Sequence, residues 1–243
     1  MLQRSSDRKT TNSATAGANV RIRNAFGLLS GRDYSCPAQT TVCEKVCYAG
    51  RMEKQYPNVY SVMLRNFEFC RDNDTDTVTN AIDQLIKDFI QECDKHDAPK
   101  LFRIHHDGDF FSRDYATAWV NVIKANPSVT FWAYTRSFTP VCNVVDLLSD
   151  LPNLTLYLSV DSDNETYASD VLMTFPSVRV ATLADTADKA SDLMLSVGRV
   201  RKGGACPEVL GRIPLITPEG GACVSCGLCI TGKSDIRFSV SGK

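Results

Sequence analysis

Ten cysteines stand in the 243-residue chain, and seven of them fall into two spaced groups suited to metal binding. The later group is Cys206-Pro207 followed by Cys223-Val224-Ser225-Cys226-Gly227-Leu228-Cys229. Two-residue spacings let successive thiolates point at different corners of one small cluster, and glycines at 220, 221 and 227 let the backbone wrap closely around it. Cys206 supplies the fourth thiolate, and its Pro207 resembles the Cys-Pro ending of ferredoxin-type runs. Four thiolates can also close a structural zinc site, or remain free. Zinc sites usually pair two separated Cys-x-x-Cys hairpins, so three cysteines in one run favour a [4Fe–4S] cubane.

The earlier group, Cys36, Cys43 and Cys47, is spaced Cys-x6-Cys-x3-Cys and is followed by Tyr48-Ala49. Three thiolates on a loop suggest a cluster with one iron left open to a small molecule. Two further readings stay open: two of these thiols on zinc, or a metal shared with part of the later set. Cys70, Cys93 and Cys142 read as small buried hydrophobes. His96, at a polar helix end, reads as solvated.

A third set of polar residues gathers where strands are expected to end: His105-His106-Asp107-Gly108-Asp109, Tyr134-Thr135-Arg136-Ser137 and Ser159-Val160-Asp161-Ser162-Asp163. In parallel α/β folds the carboxyl ends of strands form the site, so the three clusters would converge on one mouth. Asp107, Asp109, Tyr134, Arg136 and Asp161 are the candidate catalytic groups there, with Ser159 beside them. Arg136 has the planar donors for a substrate carboxylate or phosphate. The bland alternative is turn residues and helix N-caps, since Asp and Ser serve both. His105 and His106 cannot face the same way on a strand.

The elements that must carry these groups follow from periodicity. Helices are expected over Val59–Cys70 and Thr77–Asp94; in the second, Val78, Ala81, Ile82, Leu85, Ile86, Phe89, Ile90 and Cys93 form one apolar stripe. Strands are expected at Val20–Gly31, Leu101–His105, Thr130–Tyr134, Leu154–Val160 and Val178–Leu183. Helices are expected at Arg113–Lys124, Pro140–Leu148, Glu165–Thr174 and Ala184–Leu195. This alternation implies parallel strands with crossover helices. The expected fold is α/β, a complete or partial (β/α) TIM-like barrel with cysteine-rich loops at the carboxyl ends of the strands. An open doubly wound sheet is the alternative. Residues 1–20, rich in Ser, Thr and Asn, read as a flexible arm, and 21–243 as one domain.

The 27 Lys and Arg nearly balance the 28 Asp and Glu, so bulk charge gives no nucleic-acid signal. Residues 1–20 contain no apolar signal core, and no apolar run approaches the ~20 residues that span a bilayer. The expected compartment is a reducing cytoplasm, where ten cysteines are not disulfides.

The pieces SCPAQTTVCEKVCYAG, FRIHHDGDFFSRDYATAW, WAYTRSF and ACVSCGLC resemble the phage and prophage family first named for mycobacteriophage gene product eighty-eight. The likeness covers most of the chain beyond residue 20, and it implies a phage-carried iron–sulfur protein acting in the host cytoplasm. The cysteine loop and strand-end motifs are also similar to radical S-adenosylmethionine enzymes. That resemblance implies an open-site cluster on Cys36, Cys43 and Cys47. It also puts Asp107, Gly108 and Asp109 where such enzymes meet the methionine amino group. Those enzymes usually carry Cys-x3-Cys-x2-Cys with an aromatic residue before the last cysteine, whereas here the spacing is six and three and Tyr48 comes after it.

Three functions follow as expectations. The first is a redox or electron-transfer protein carrying one or two [4Fe–4S] clusters and meeting a redox partner protein. The second is a radical S-adenosylmethionine-type enzyme with a small-molecule substrate. The third is a zinc-stabilised binding module, which the lack of a basic surplus makes a poor nucleic-acid binder.

Overall fold

The structure is a computed structural model and describes residues 1–5, 7–10, 20–201, 203–217 and 220–240. Four helices open it: α1 Thr41–Val46, α2 Tyr48–Gln55, α3 Pro57–Asp72 and α4 Thr75–Lys95. Then come β1 Leu101–Ile104, α5 Arg113–Ala125, β2 Thr130–Thr135, β3 Phe138–Thr139, β4 Cys142–Asn143, α6 Val145–Leu148 and β5 Leu154–Val160. The chain continues through α7 Glu165–Thr174, β6 Arg179–Ala184, α8 Ala187–Ser196, β7 Gly204–Ala205, β8 Ile216–Thr217 and β9 Gly220–Gly221. It ends with α9 Ala222–Cys226, α10 Leu228–Thr231 and β10 Ile236–Ser239.

Six strands form one sheet in the order β1-β2-β5-β6-β10-β7, every pair parallel. From β1 to β10 the order advances without reversing, which is not the reversing order of a doubly wound sheet. Among the described residues the two end strands of that order, β1 and β7, are not paired with each other, and the barrel is not shown closed. The segment expected as a first strand runs beside β1 without regular strand geometry. Ala25 bridges Arg103 in parallel, and Phe26 N donates to Arg103 O at 3.1 Å. The ladder then continues past the strand, with His106 N on Phe26 O at 2.9 Å and Leu28 N on Asp107 O at 3.1 Å.

The two-residue period of the strands sorts side chains onto two faces. Phe102, Ile104, Phe131, Leu156, Leu158, Val160 and Val180 join the main core with the helices. There Phe102 meets Phe89 of α4, Trp119 of α5 and Phe131 edge-on or tilted at 5.1–6.4 Å. The opposite face, with Tyr134, Tyr157, Ala181, Ile236 and Phe238, packs against Cys206, Leu228 and Cys229. The late cysteine segment thus covers the face of the sheet that the helices leave bare.

The long helices fall where the apolar stripes put them, α4 capped by Asp74, whose side chain accepts from Thr77 N. The expected helix from Pro140 is the exception. Phe138–Thr139 and Cys142–Asn143 make an antiparallel hairpin, and only Val145–Leu148 is helical. Pro140 lacks an N–H and holds a fixed φ, which suits the turn between the two short strands. The expected arm is not free over its described part: Leu2, Ser5 and Thr10 are buried, and Ser5 N donates to Ala25 O. Residues 11–19 of that arm lie outside the described residues. Among the described residues no helix is long and apolar enough to cross a membrane.

Cys70 closes α3 within the core, and burial pushes its thiol up to about 12 from 9.0. The unfolded chain loses that proton above pH 9 while the folded chain keeps it. Stability is therefore full below pH 9 and falls by about 1.4 kcal/mol per pH unit above it. In urea titrations of the metal-free chain, Cys70→Ala should lose about 1 kcal/mol less than the parent between pH 9 and 10.

Candidate metal and cofactor site

The early cysteines lie on a loop and two helix ends held over the carboxyl ends of the strands. Cys36 follows a turn-rich stretch and donates its N–H to Gly31 O at 3.0 Å. Cys43 lies in α1, whose N-cap Thr40 accepts from Cys43 N at 3.0 Å. Cys47 joins α1 to α2, and its sulfur accepts from Gly50 N at 3.4 Å. The three thiols line a cavity of about 260 Å³ together with His106, Asp107, Gly108, Tyr134 and Ser159. Burial pushes the Cys36 and Cys43 thiols up, and the Arg136 guanidinium partly offsets this at Cys43.

The later cysteines line a second cavity of about 440 Å³ on the bare face of the sheet. Cys206 N donates to Arg237 O beside β10. Cys223 and Cys226 ride on α9, and Gly227 with φ +66° turns the chain so that α10 can present Cys229. A side chain at that φ would be strained, so glycine serves the turn. Sheet residues hold the segment: Thr155 Oγ1 donates to Ile230 O at 2.9 Å and Tyr157 Oη to Ser234 O at 2.9 Å. Burial pushes Cys223 up to about 12 and Cys229 up to about 11, the latter eased by a hydrogen bond from Tyr134. The N-terminal turn reaches this set too. Cys223 N donates to Lys9 O at 2.9 Å, and Asp7 pairs with Arg103 at 3.0 Å.

The two cavities adjoin, sharing Val46, Tyr48, Arg103, Tyr134, Ser159, Leu183 and Phe238 as walls. Among the described residues no three His, Cys, Asp or Glu side chains converge as ligands of a metal ion. Each cysteine set instead surrounds a cavity. A lone zinc draws its thiolates to about 2.3 Å, whereas a cubane puts irons and sulfides between them. The early set supplies three thiol donors to its cavity and the later set four, which is the donor chemistry a cluster would need.

The strand-end groups are brought together but differ in what they can offer a ligand. Asp109 spends both oxygens within the chain, on Phe110 N and Thr135 Oγ1 through Oδ1 and on Arg136 N through Oδ2, each at 2.7 Å. Burial still lifts its carboxyl to about 6. Arg136, expected to face a substrate anion, pairs instead with the buried Asp161 at 2.5 Å. Asp107 keeps a spare acceptor: its Oδ1 is buried without a hydrogen-bond partner, while Oδ2 lies 3.7 Å from His106 Nδ1.

His105 and His106 both line the early cavity, because the strand has ended and His105 takes φ +58°. His105 Nε2 meets Tyr115 Oη at 2.8 Å, and burial lowers its pKa to about 3, so the ring is neutral. Tyr115 Oη accepts from Trp119 Nε1, which leaves its own proton for His105.

Cys70, Cys93 and Cys142 are buried and outside both cavities, as their packing role requires. Cys93→Ala should accordingly leave the metal content of the chain unchanged, and a fall in bound metal would contradict that placement. Reasoning from the sequence missed Thr40, Asp7, Lys9 and Arg103. A threonine three residues before Cys43 is a helix-cap signal, and a lone arginine in the apolar run LFRI marks a strand face that is not plain core.

The sequence profile of the family described as Gene product 88 matches residues 1–232. The gene 88 protein of Mycobacterium phage L5 is 45% identical over 248 aligned positions, covering 100% of this chain and 99% of that protein. The gene 88 protein of Mycobacterium phage D29 is 44% identical over the same span. No solved structure matches the chain. Matched over nearly its whole length by the profile and by both phage proteins, the chain belongs to the Gene product 88 family.

Proposed function

We propose that this chain is an iron–sulfur protein of one-electron chemistry. Cys206, Cys223, Cys226 and Cys229 hold a [4Fe–4S] cluster, and Cys36, Cys43 and Cys47 hold a second with one iron open. The observation that carries the reading is that each cysteine set rings its own cavity and the two cavities share a wall. A bound cluster supplies a one-electron couple whose potential follows hydrogen bonding and burial. The chain's own part is to exclude water with Trp132, Leu183 and Phe238 and to place the Tyr134 hydroxyl on Cys229. The unreversed parallel order of β1, β2, β5, β6 and β10 supports a partial (β/α) barrel as the scaffold.

The test is anaerobic purification with iron, sulfide and zinc counted per chain and the electron paramagnetic resonance spectrum recorded after reduction. About eight irons and eight sulfides are expected. About four of each would leave the four-cysteine set as the one home. Zinc without sulfide would overturn the reading in favour of a structural module.

A second reading, a radical S-adenosylmethionine-type enzyme, is favoured by one feature. The three-cysteine cavity contains a buried carboxylate, Asp107, with an unpartnered oxygen at the strand end. In it Asp107 Oδ1 accepts from the ligand's amino group, while Asp109 and Arg136 hold the loop. Titration calorimetry of the reconstituted chain with S-adenosylmethionine should then show binding that Asp107→Asn weakens at least tenfold. No heat from the parent chain would leave the electron carrier alone.

A further inference from the structure

The Asp161-Ser162-Asp163 stretch, singled out as a candidate site motif, faces the early cysteine loop rather than open space. Thr40 Oγ1 donates to Asp161 Oδ2 at 2.6 Å and accepts from Cys43 N at 3.0 Å. Arg136 Nη1 holds the same carboxylate oxygen at 2.5 Å and reaches Thr40 Oγ1 at 3.4 Å. Asp163 Oδ2 accepts from Thr41 N at 3.1 Å and Val42 N at 3.4 Å. The first backbone donors of α1 therefore find their acceptors on a loop more than 100 residues away. Asp161 is itself fixed, with its N–H on Asn164 Oδ1 and its Oδ1 accepting from Asp163 N.

α1 has no buried residue of its own and is six residues long. A helix that short does not persist alone in water. With none of its residues fully buried, its place over the strand ends leans on these polar bonds. Asp161 is 0% exposed and Arg136 7%, and bonds between buried charged groups are worth more than neutral ones on the surface.

We propose that Arg136, Asp161 and Thr40 are positioning residues that dock the three-cysteine loop and make the early site, but not the four-cysteine site, conditional on the β5–α7 loop. The docking acts on thiol placement, so it deepens the iron–sulfur reading yet can be read without metal. Thr40 is the informative position, because Thr40→Ser keeps the hydroxyl and Thr40→Val keeps only the shape.

The test is alkylation by iodoacetamide of the metal-free chain, with rates at each cysteine read by peptide mass spectrometry. Thr40→Val is expected to raise the rates at Cys36, Cys43 and Cys47 at least tenfold while Cys206, Cys223, Cys226 and Cys229 keep theirs. Thr40→Ser should match the parent. The proposal is overturned if Thr40→Val leaves the early rates unchanged, or raises both sets alike. Asp161→Asn repeats the test from the other side of the bond, where a local rise supports docking and a rise in both sets sinks it. Iron counts on the same variants report separately. A parent chain without iron would end the iron–sulfur reading and leave the alkylation result standing.

Discussion

If the four late cysteines hold the proposed cluster, Cys226→Ala is expected to remove it and to lower iron from about eight to about four per chain. Cys226 lies at the end of α9, and Gly227 then turns the chain toward Cys229, so neither neighbour can move across to replace it. Loss of one of four thiolates would leave one iron of a bound cluster without its protein ligand in a cavity of about 440 Å³. The early site draws no thiol from this segment, so its spectrum should survive. Full iron in the variant, with an unchanged paramagnetic spectrum, would remove Cys226 from the ligand set.

Gly108→Ala is expected to damage both the fold and the early site. Gly108 has φ +81°, where a side chain is strained. An added Cβ would collide with Ser35 Oγ and stand 2.9 Å from Leu28 Cβ and 3.0 Å from Leu28 O. Ser35 cannot yield freely, because it is buried and its hydroxyl donates to Leu29 O at 2.6 Å. Strain and overpacking together cost about 2–4 kcal/mol, or roughly 5–15 °C in Tm for a chain of this size. Ser35 precedes Cys36, so the push is delivered directly to the first early thiol. Thermal unfolding of the metal-free variant checks the first effect, and its iron count checks the second. An unshifted Tm would show that the contact between the β1 end and the cysteine loop is looser than described.

The parallel sheet and its long helices were legible because each has a strong period. The stripe from Val78 to Cys93 and the apolar strands centred on Phe131 and Leu158 need no tertiary context to be read. The gathering of Asp107, Tyr134, Arg136 and Ser159 at one mouth was legible for a related reason, since parallel strands present their carboxyl ends together. What each group does there was not legible. Arg136 reads from sequence as a free cation, but only the approach of β5 to β2 supplies Asp161 as its partner. Asp109 reads as a ligand, but the turn of the chain after Ile104 sets it against Arg136 N. The hairpin at Pro140 was lost because a four-residue helix and two-residue strands carry too little periodicity to distinguish. The packing of Leu2 and Thr10 was hidden because a polar composition does not reveal which few residues find a buried place.

The bond from Cys223 N to Lys9 O also sets a timetable for the chain as it is made. Lys9 leaves the ribosome more than 200 residues before Cys223, Cys226 and Cys229. At about 5–20 residues per second this interval is roughly 10–40 s. Until it has passed, Arg103 has β1 and Asp7 available, but the four-cysteine cavity has only one of its four thiols. The three early thiols are synthesised together within the first fifth of the chain, yet their docking partners Arg136 and Asp161 come later. Arg136 and Asp161 still precede Cys223, so the early loop can dock before the four-cysteine set has its last three thiols, and the two sites form in sequence rather than together.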